Sequence, residues 1–130
     1  MANQRLVISV GQCGYDNSRL QILIRSIDPD LIFQATDTAQ EAFQLMKSKA
    51  GQTALLLVNR VFDADGASGL GLIQEITRDS QAAHPPVMLV SNYEDAQASA
   101  IAHGALPGFG KSSLGHAETA NRIKSALGIE

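Results

Sequence analysis

Leu55-Leu56-Leu57-Val58-Asn59 is followed by Arg60-Val61-Phe62 and then by Asp63-Ala64-Asp65-Gly66-Ala67-Ser68-Gly69. An unbroken apolar run, closed by a polar residue and then by loop formers, predicts a central strand covered on both faces, as parallel strands are. In an open α/β sheet, ligands and chemistry gather at the carboxyl ends of such strands. Asn59 stands at that place. A carboxylate there holds a metal or attacks phosphorus, whereas a neutral amide does neither well. The residue type at position 59 therefore separates an active phosphoacceptor from an inert binding module.

Strands and helices alternate on both sides of this segment. Leu6 to Val10 predicts a first strand, ending at Gly11. Leu20, Leu23, Ile24 and Ile27 recur at helical spacing, with Asp16 or Asn17 as the expected N-cap and Asp28-Pro29 as the stop. Leu31 to Ala35 predicts a second strand. Thr36 or Asp37 is the expected cap of a helix carrying Ala39, Ala42, Phe43 and Met46, which Gly51 ends. Thr53 to Val58 predicts the third strand, and Leu70, Ile73 and Ile76, flanked by Leu72, mark a third helix. Val87 to Val90 predicts a fourth strand after His84-Pro85-Pro86, and Asp95 to His103 an alanine-rich helix closed by Gly104. Leu106 to Phe109 predicts a fifth strand. A last helix from about Ser113 to Leu127 is expected to bury Leu114, Ala117, Ala120, Ile123 and Leu127. This alternation implies parallel strands, right-handed crossovers and a doubly wound α/β fold of flavodoxin-like type, with five strands in the order 2-1-3-4-5 and five helices.

Composition narrows the functional classes. The 130 residues suit one domain, 1–130 with a core over about 5–127 and no separate output domain, and 45% hydrophobic against 18% charged residues predicts independent folding. A formal net charge of -3 speaks against non-specific nucleic-acid binding, which needs a concentrated basic face. The single cysteine, Cys13, forms no intramolecular disulfide, which predicts a reducing, cytoplasmic setting. The apolar runs are too short to cross a bilayer, so no membrane partner is expected.

The order and spacing of these landmarks resemble the receiver domains of bacterial response regulators, the family of the chemotaxis response regulator. Leu6-Val7-Ile8-Ser9-Val10 resembles the family's first strand, and Ala35-Thr36-Asp37-Thr38-Ala39-Gln40-Glu41-Ala42 its second strand-to-helix junction. Gly69-Leu70-Gly71-Leu72-Ile73 resembles the opening of the third helix. Met88-Leu89-Val90-Ser91 matches the strand that ends in a hydroxyl residue, and Gly104-Ala105 with Gly110-Lys111 the strand that ends in lysine. The resemblance runs from Leu6 to Leu127.

The resemblance implies a pocket in which two acidic residues after the first strand and an Asp after the third hold Mg²⁺, and in which that Asp accepts a phosphoryl group. Here Gly11 and Gln12 occupy the first places and Asn59 the acceptor place, while Ser91 and Lys111 match the phosphoryl-contacting hydroxyl and lysine. Ser112 replaces the usual proline, and the aromatic switch position of the fifth strand falls on Gly108, with Phe109 one residue away. Every anionic part of the pocket is thus expected to be missing, and Lys111 is expected to pair with Asp63 or Asp65. Mg²⁺ needs carboxylate oxygens and phosphoryl transfer needs a nucleophile and a cation clamp. No cofactor, no metal and no enzymatic activity are therefore expected.

Other motifs are weak. Asp63-Ala64-Asp65-Gly66 lacks the third ligand and the bidentate Glu of a calcium loop, which would fall on Ala67 and Gln74. Gly11-Gln12-Cys13-Gly14 has neither the spacing of a dinucleotide loop nor the ending of a P-loop. His84, His103 and His116 are scattered without metal-ligand spacing. The leading expectation is a degenerate receiver, a pseudo-receiver, acting as a phosphorylation-independent signalling or protein-interaction module. Its docking face would be the fourth helix, fifth strand and fifth helix, toward a pathway partner or a second copy in a homodimer. The alternatives are a receiver with a displaced acceptor at Asp63 or Asp65, and a sensor of a small anion or nucleotide at the Gly11–Gly14 turn.

Overall fold

Each apolar run becomes a strand and each periodic segment a helix in the computed structural model, which describes residues 5–78 and 84–129. The order is β1 (Leu6–Val10), α1 (Gly14–Ile27), β2 (Ile32–Thr36), α2 (Ala39–Ser48), β3 (Thr53–Asn59), α3 (Gly69–Thr77), β4 (Val87–Val90), α4 (Glu94–Ala102), β5 (Leu106–Phe109) and α5 (Ala117–Leu127), with a 3₁₀ turn at Lys111–Ser113. The strands form one parallel sheet in the order β2-β1-β3-β4-β5. The expected domain span includes 1–4, 79–83 and 130, which lie outside the described residues.

Alternation along the strands sorts the core into two layers. Ile8, Val10, Leu56, Val58 and Leu89 meet Ala42, Leu72, Ile73, Ala96 and Ala100 of α2, α3 and α4. Val7, Leu55, Leu57, Met88 and Val90 meet Leu20, Ile24, Ile123 and Leu127 of α1 and α5. Each fully buried aliphatic side chain contributes roughly 1.5–3 kcal/mol. Both faces are covered, which leaves the carboxyl ends of β1, β3, β4 and β5 as the open crest of the molecule.

Several local expectations shift. The N-cap of α1 is Cys13, which puts Asp16 inside the first turn rather than at the cap. The cap of α2 is Thr38, whose hydroxyl accepts the Glu41 N–H at 3.2 Å, while Thr36 is the last residue of β2 and donates its hydroxyl to Ser9 O at 2.9 Å. The last helix begins at Ala117, not Ser113. Gly115, a poor helix former, lies in the turn that separates it from the 3₁₀ segment. The buried stripe of α5 is accordingly Thr119, Ile123 and Leu127, and Ala117 is exposed.

The β4–β5 ladder carries a bulge. Met88 pairs with Leu106 and Val90 with Phe109, so two residues, Pro107 and Gly108, stand opposite Leu89 alone. Gln97 of α4 repairs the ladder: its Nε2 donates to Leu89 O (2.9 Å) and Ser91 O (3.1 Å), and its Oε1 accepts the Gly108 N–H (3.2 Å). A Cβ at Gly108 would lie 2.1 Å from Leu89 O and 2.9 Å from Gln97 Oε1, so only glycine fits. Beside the bulge, Gly108 carries no side chain, and Phe109 is turned into the α1/α5 layer, where it is 4% exposed.

Candidate functional site

At the end of β3, Asn59 donates both amide hydrogens to backbone carbonyls, Gly11 O at 3.0 Å and Val61 O at 2.7 Å. The Asp63 N–H donates to the same Gly11 oxygen at 2.9 Å. The β3–α3 loop is thereby stitched to the end of β1. Gly11 has φ +77, and a Cβ there would fall 2.2 Å from the Phe62 ring. Phe62, 1% exposed, thus occupies the space beside the β1 terminus that a side chain at position 11 would need. Gln12 is 2% exposed, and neither atom of its amide has a hydrogen-bond partner among the described protein groups.

The cation of the site is not paired as the sequence suggested. Lys111 Nζ lies 2.8 Å from Asp16 Oδ2, in the first turn of α1, and not against Asp63 or Asp65. Those two are exposed on the loop, where Asp65 Oδ1 accepts the Ala67 N–H at 2.9 Å. The physical reason is reach and burial: the loop carboxylates stay in water, whereas α1 carries Asp16 to the β5 terminus with only 12% of its side chain exposed. The partner of Lys111 is thus a carboxylate supplied by a helix instead of a strand end or its loop. Burial raises the Asp16 pKa, but hydrogen bonds from Lys111 and from the Cys13 thiol (3.4 Å), with the charges of Lys111 and Arg19, outweigh it and hold the carboxyl below its usual value. Arg19 also donates to Lys111 O at 3.2 Å, which fixes the start of the 3₁₀ turn.

Ser91 is 7% exposed and its hydroxyl oxygen accepts the Tyr93 N–H at 3.1 Å, shaping the turn into α4. Asn92 Oδ1 accepts from both the N–H and the hydroxyl of Ser112, at 3.2 and 3.0 Å, tying the β4–α4 loop to the β5–α5 loop. Between these ties lies a pocket of about 430 Å³ lined by Asn59, Arg60, Val61, Val90, Ser91, Asn92, Tyr93 and Lys111. The Arg60 guanidinium sits 4.7 Å from the centre of the Tyr93 ring.

The sequence-predicted residues Asn59, Ser91 and Lys111 do meet at this pocket, while Gly11, covered by Phe62, and the buried Gln12 do not line it. Gly11 N–H is bonded to Thr36 O at 2.9 Å, so the Gly11–Gly14 turn does not present that donor to a ligand. Asp16, Arg60 and Tyr93 join the site without belonging to any motif of the sequence. Only the position of Asp16 one turn beyond the first strand signalled it. A divalent cation of the kind the fold family uses does not fit here. The β1 place is filled by Phe62, the Asn59 amide presents N–H groups to carbonyls, and Asp16 is held by Lys111. Among the described residues no three His, Cys, Asp or Glu side chains gather as a metal site. No helix among them is long and apolar enough to cross a membrane.

No family model matches the sequence, and no curated protein matches it. Solved structures do match in fold. The signal receiver domain of a DNA-binding response regulator from Colwellia psychrerythraea superimposes with a TM-score of 0.77 at 16% identity, covering 96% of this chain and 99% of that one. A response regulator from Thermotoga maritima gives 0.73 at 19% identity, covering 96% and 98%. A response regulator receiver protein from Pseudomonas putida gives 0.71 at 18% identity, covering 96% and 99%. With five parallel strands in the order 2-1-3-4-5 and helices on both faces, this chain has the receiver-domain fold of response regulators.

Proposed function

We propose that this chain is a pseudo-receiver, a degenerate receiver module that works through protein contact and independently of phosphorylation. The observation that carries this reading is the Asn59 amide, engaged through Nδ2 with two loop carbonyls at the place where the fold's acceptor carboxylate stands. An amide oxygen is a poor nucleophile toward phosphorus and brings no negative charge to hold Mg²⁺. Lys111, neutralised by Asp16 at 2.8 Å, adds to the case, as do the Asn92–Ser112 tie and the Gln97 repair of the β4–β5 ladder. These contacts hold the elements that would otherwise respond to a phosphoryl group, and the module has no catalytic step of its own.

The face offered to a protein partner is α4, β5 and α5. A groove of about 540 Å³ runs there, with Gly108 and Phe109 among its lining, Ile101 and Pro107 exposed, and Arg122 donating to Gly108 O. A signalling protein or a second copy of the chain is the occupant in this reading. The deciding experiment is incubation with acetyl phosphate and Mg²⁺ followed by intact-mass measurement. No added phosphoryl group is expected. A phosphoryl group mapped to Asp63 or Asp65 would replace this reading with the displaced-acceptor one. Light scattering of the wild type and Ile101→Asp reports whether a homodimer uses the face.

A further inference from the structure

We propose that the open edge of β2 is a self-association surface, on which a second copy of this chain lays its own β2 antiparallel and continues the sheet across a two-fold axis at Gln34. Within β2 the Ile32 N–H donates to Arg5 O and Thr36 O accepts the Gly11 N–H, so Ile32, Gln34 and Thr36 bond toward β1. The N–H and C=O groups of Phe33 and Ala35 therefore point away from the sheet, in which β2 is an outermost strand. Edge strands are commonly guarded by charge, proline or a bulge. The opposite edge, β5, is guarded in this way. Pro107 has no N–H, the Gly108 N–H goes to Gln97, and Gly108 O accepts from Arg122 beside the bulge. β2 has no such guard. Ile32-Phe33-Gln34-Ala35-Thr36 carries no charge and no proline, keeps an unbroken register with β1, and leaves Ile32, Gln34 and Ala35 exposed.

Self-complementarity selects a second copy as the occupant. With the axis at Gln34, Phe33 stands opposite Ala35 of the second copy, and Ala35 opposite its Phe33. Each such pair exchanges two N–H···O bonds, and the arrangement closes as a symmetric dimer. The neighbouring registers are worse matched. Moving the axis to Phe33 sets Ala35 opposite Leu31, whose N–H already goes to Asp28 O at 3.1 Å. Moving it to Ala35 sets Phe33 opposite Asp37, whose N–H already goes to Glu41 Oε1 at 2.8 Å. Charge favours the same register. Alternation puts Phe33, Ala35 and, one step beyond the strand, Asp37 on the α1 side of the sheet, where Phe33 packs against the α1/α5 layer. A groove of about 370 Å³ borders the edge on that side, lined by Arg25 of α1 together with Asp30, Leu31, Ile32 and Phe33. Arg25 and Asp37 are both exposed, and neither makes an ion pair among the described residues. The axis at Gln34 sets Asp37 of the second copy opposite Leu31, beside Arg25, and symmetry repeats the pair.

This pairing leaves α4, β5 and α5 uncovered, so it goes beyond the protein-contact reading and does not depend on it. The test is size-exclusion chromatography with light scattering over a concentration series of the whole chain. Wild type is expected to pass from monomer to dimer and no further, and Ile101→Asp to do the same. Ala35→Pro is expected to keep the fold, since proline is accepted where an edge N–H faces solvent, and to lose the dimer. Arg25→Asp and Asp37→Arg each set like charges together at both ends of the dimer, and each should weaken association about tenfold or more. Combining the two changes is expected to restore it. Both positions are exposed, so the charge series decides the matter if Ala35→Pro does not fold. Hydrogen exchange gives a residue-level readout: the Phe33 and Ala35 amides should slow as the concentration rises. A wild type that stays monomeric at millimolar concentration, masses that grow beyond the dimer, or a dimer that survives in folded Ala35→Pro would overturn the β2 edge as the site. So would a dimer lost in Ile101→Asp, or no rescue by the double charge change. A phosphoryl group found by intact mass defeats phosphorylation-independence alone, so the two readings fail separately.

Discussion

Replacing the Nδ2 of Asn59 by a carboxylate oxygen turns two hydrogen bonds into two oxygen–oxygen contacts, against Gly11 O and Val61 O. Asn59→Asp is therefore expected to lower stability by about 1–3 kcal/mol at neutral pH, read by urea unfolding, because the partly buried Gly11 carbonyl and the more exposed Val61 carbonyl both lose their donor and meet a charge. It is also expected to gain no phosphoryl group. Equal stability of Asn59→Asp would remove the staple argument. The Asp16–Lys111 pair yields a pH signature. The folded pKa of Asp16 is depressed below the reference 3.8, so its stabilising contribution is fully present above that value and is lost as pH falls through the lower folded pKa. Asp16→Asn should be less stable than wild type at pH 7, with the difference closing below about pH 4. A gap that stays constant from pH 7 to pH 3 would show that the carboxylate charge is not what matters. A double-mutant cycle with Lys111→Met then isolates the pair's coupling.

At the scale of elements, the bulge in β5 and the Gln97 side chain of α4 form one unit. A bulge leaves ladder groups without partners, and buried backbone groups do not tolerate that. One carboxamide supplies a donor for Leu89 O and an acceptor for Gly108 N–H, which no apolar residue and no single-function polar residue does. Gln97→Leu is expected to cost about 2–3 kcal/mol and to raise amide exchange at Gly108 selectively, measured by hydrogen exchange. Unchanged protection at Gly108 would mean that α4 does not hold β5 in this way. Gln97 was invisible in the sequence because it lies in an alanine-rich segment whose pattern suggested only helix propensity. Its role exists only once an extra residue in β5 has orphaned a carbonyl of β4.

For the whole molecule, the crest is braced across every strand end it contains. Asn59 ties β3 to β1, Asp16 ties α1 to the segment after β5, and Asn92 ties the β4–α4 loop to Ser112. A ligand stabilises a fold only as far as it prefers the folded state. With no carboxylate cluster to receive a divalent ion, millimolar Mg²⁺ with beryllofluoride is expected to leave the unfolding midpoint unchanged in a thermal-shift titration. A rise of several degrees that depends on both components would return the pocket to the metal-dependent class.

The sequence alone determined the number, type and order of the elements, because apolar periodicity and the Gly and Pro stops are local properties that survive without knowledge of neighbours. It also determined that no acid stands at positions 11, 12 or 59. Tertiary structure decided everything that depends on which side chains share a space. It chose Asp16 over Asp63 and Asp65 for Lys111, turned Phe109 inward past a bulge, and laid Phe62 over Gly11. It also set Arg60 on Tyr93. Those choices rest on contacts between segments far apart in the chain, where burial and reach rather than spacing select the partner.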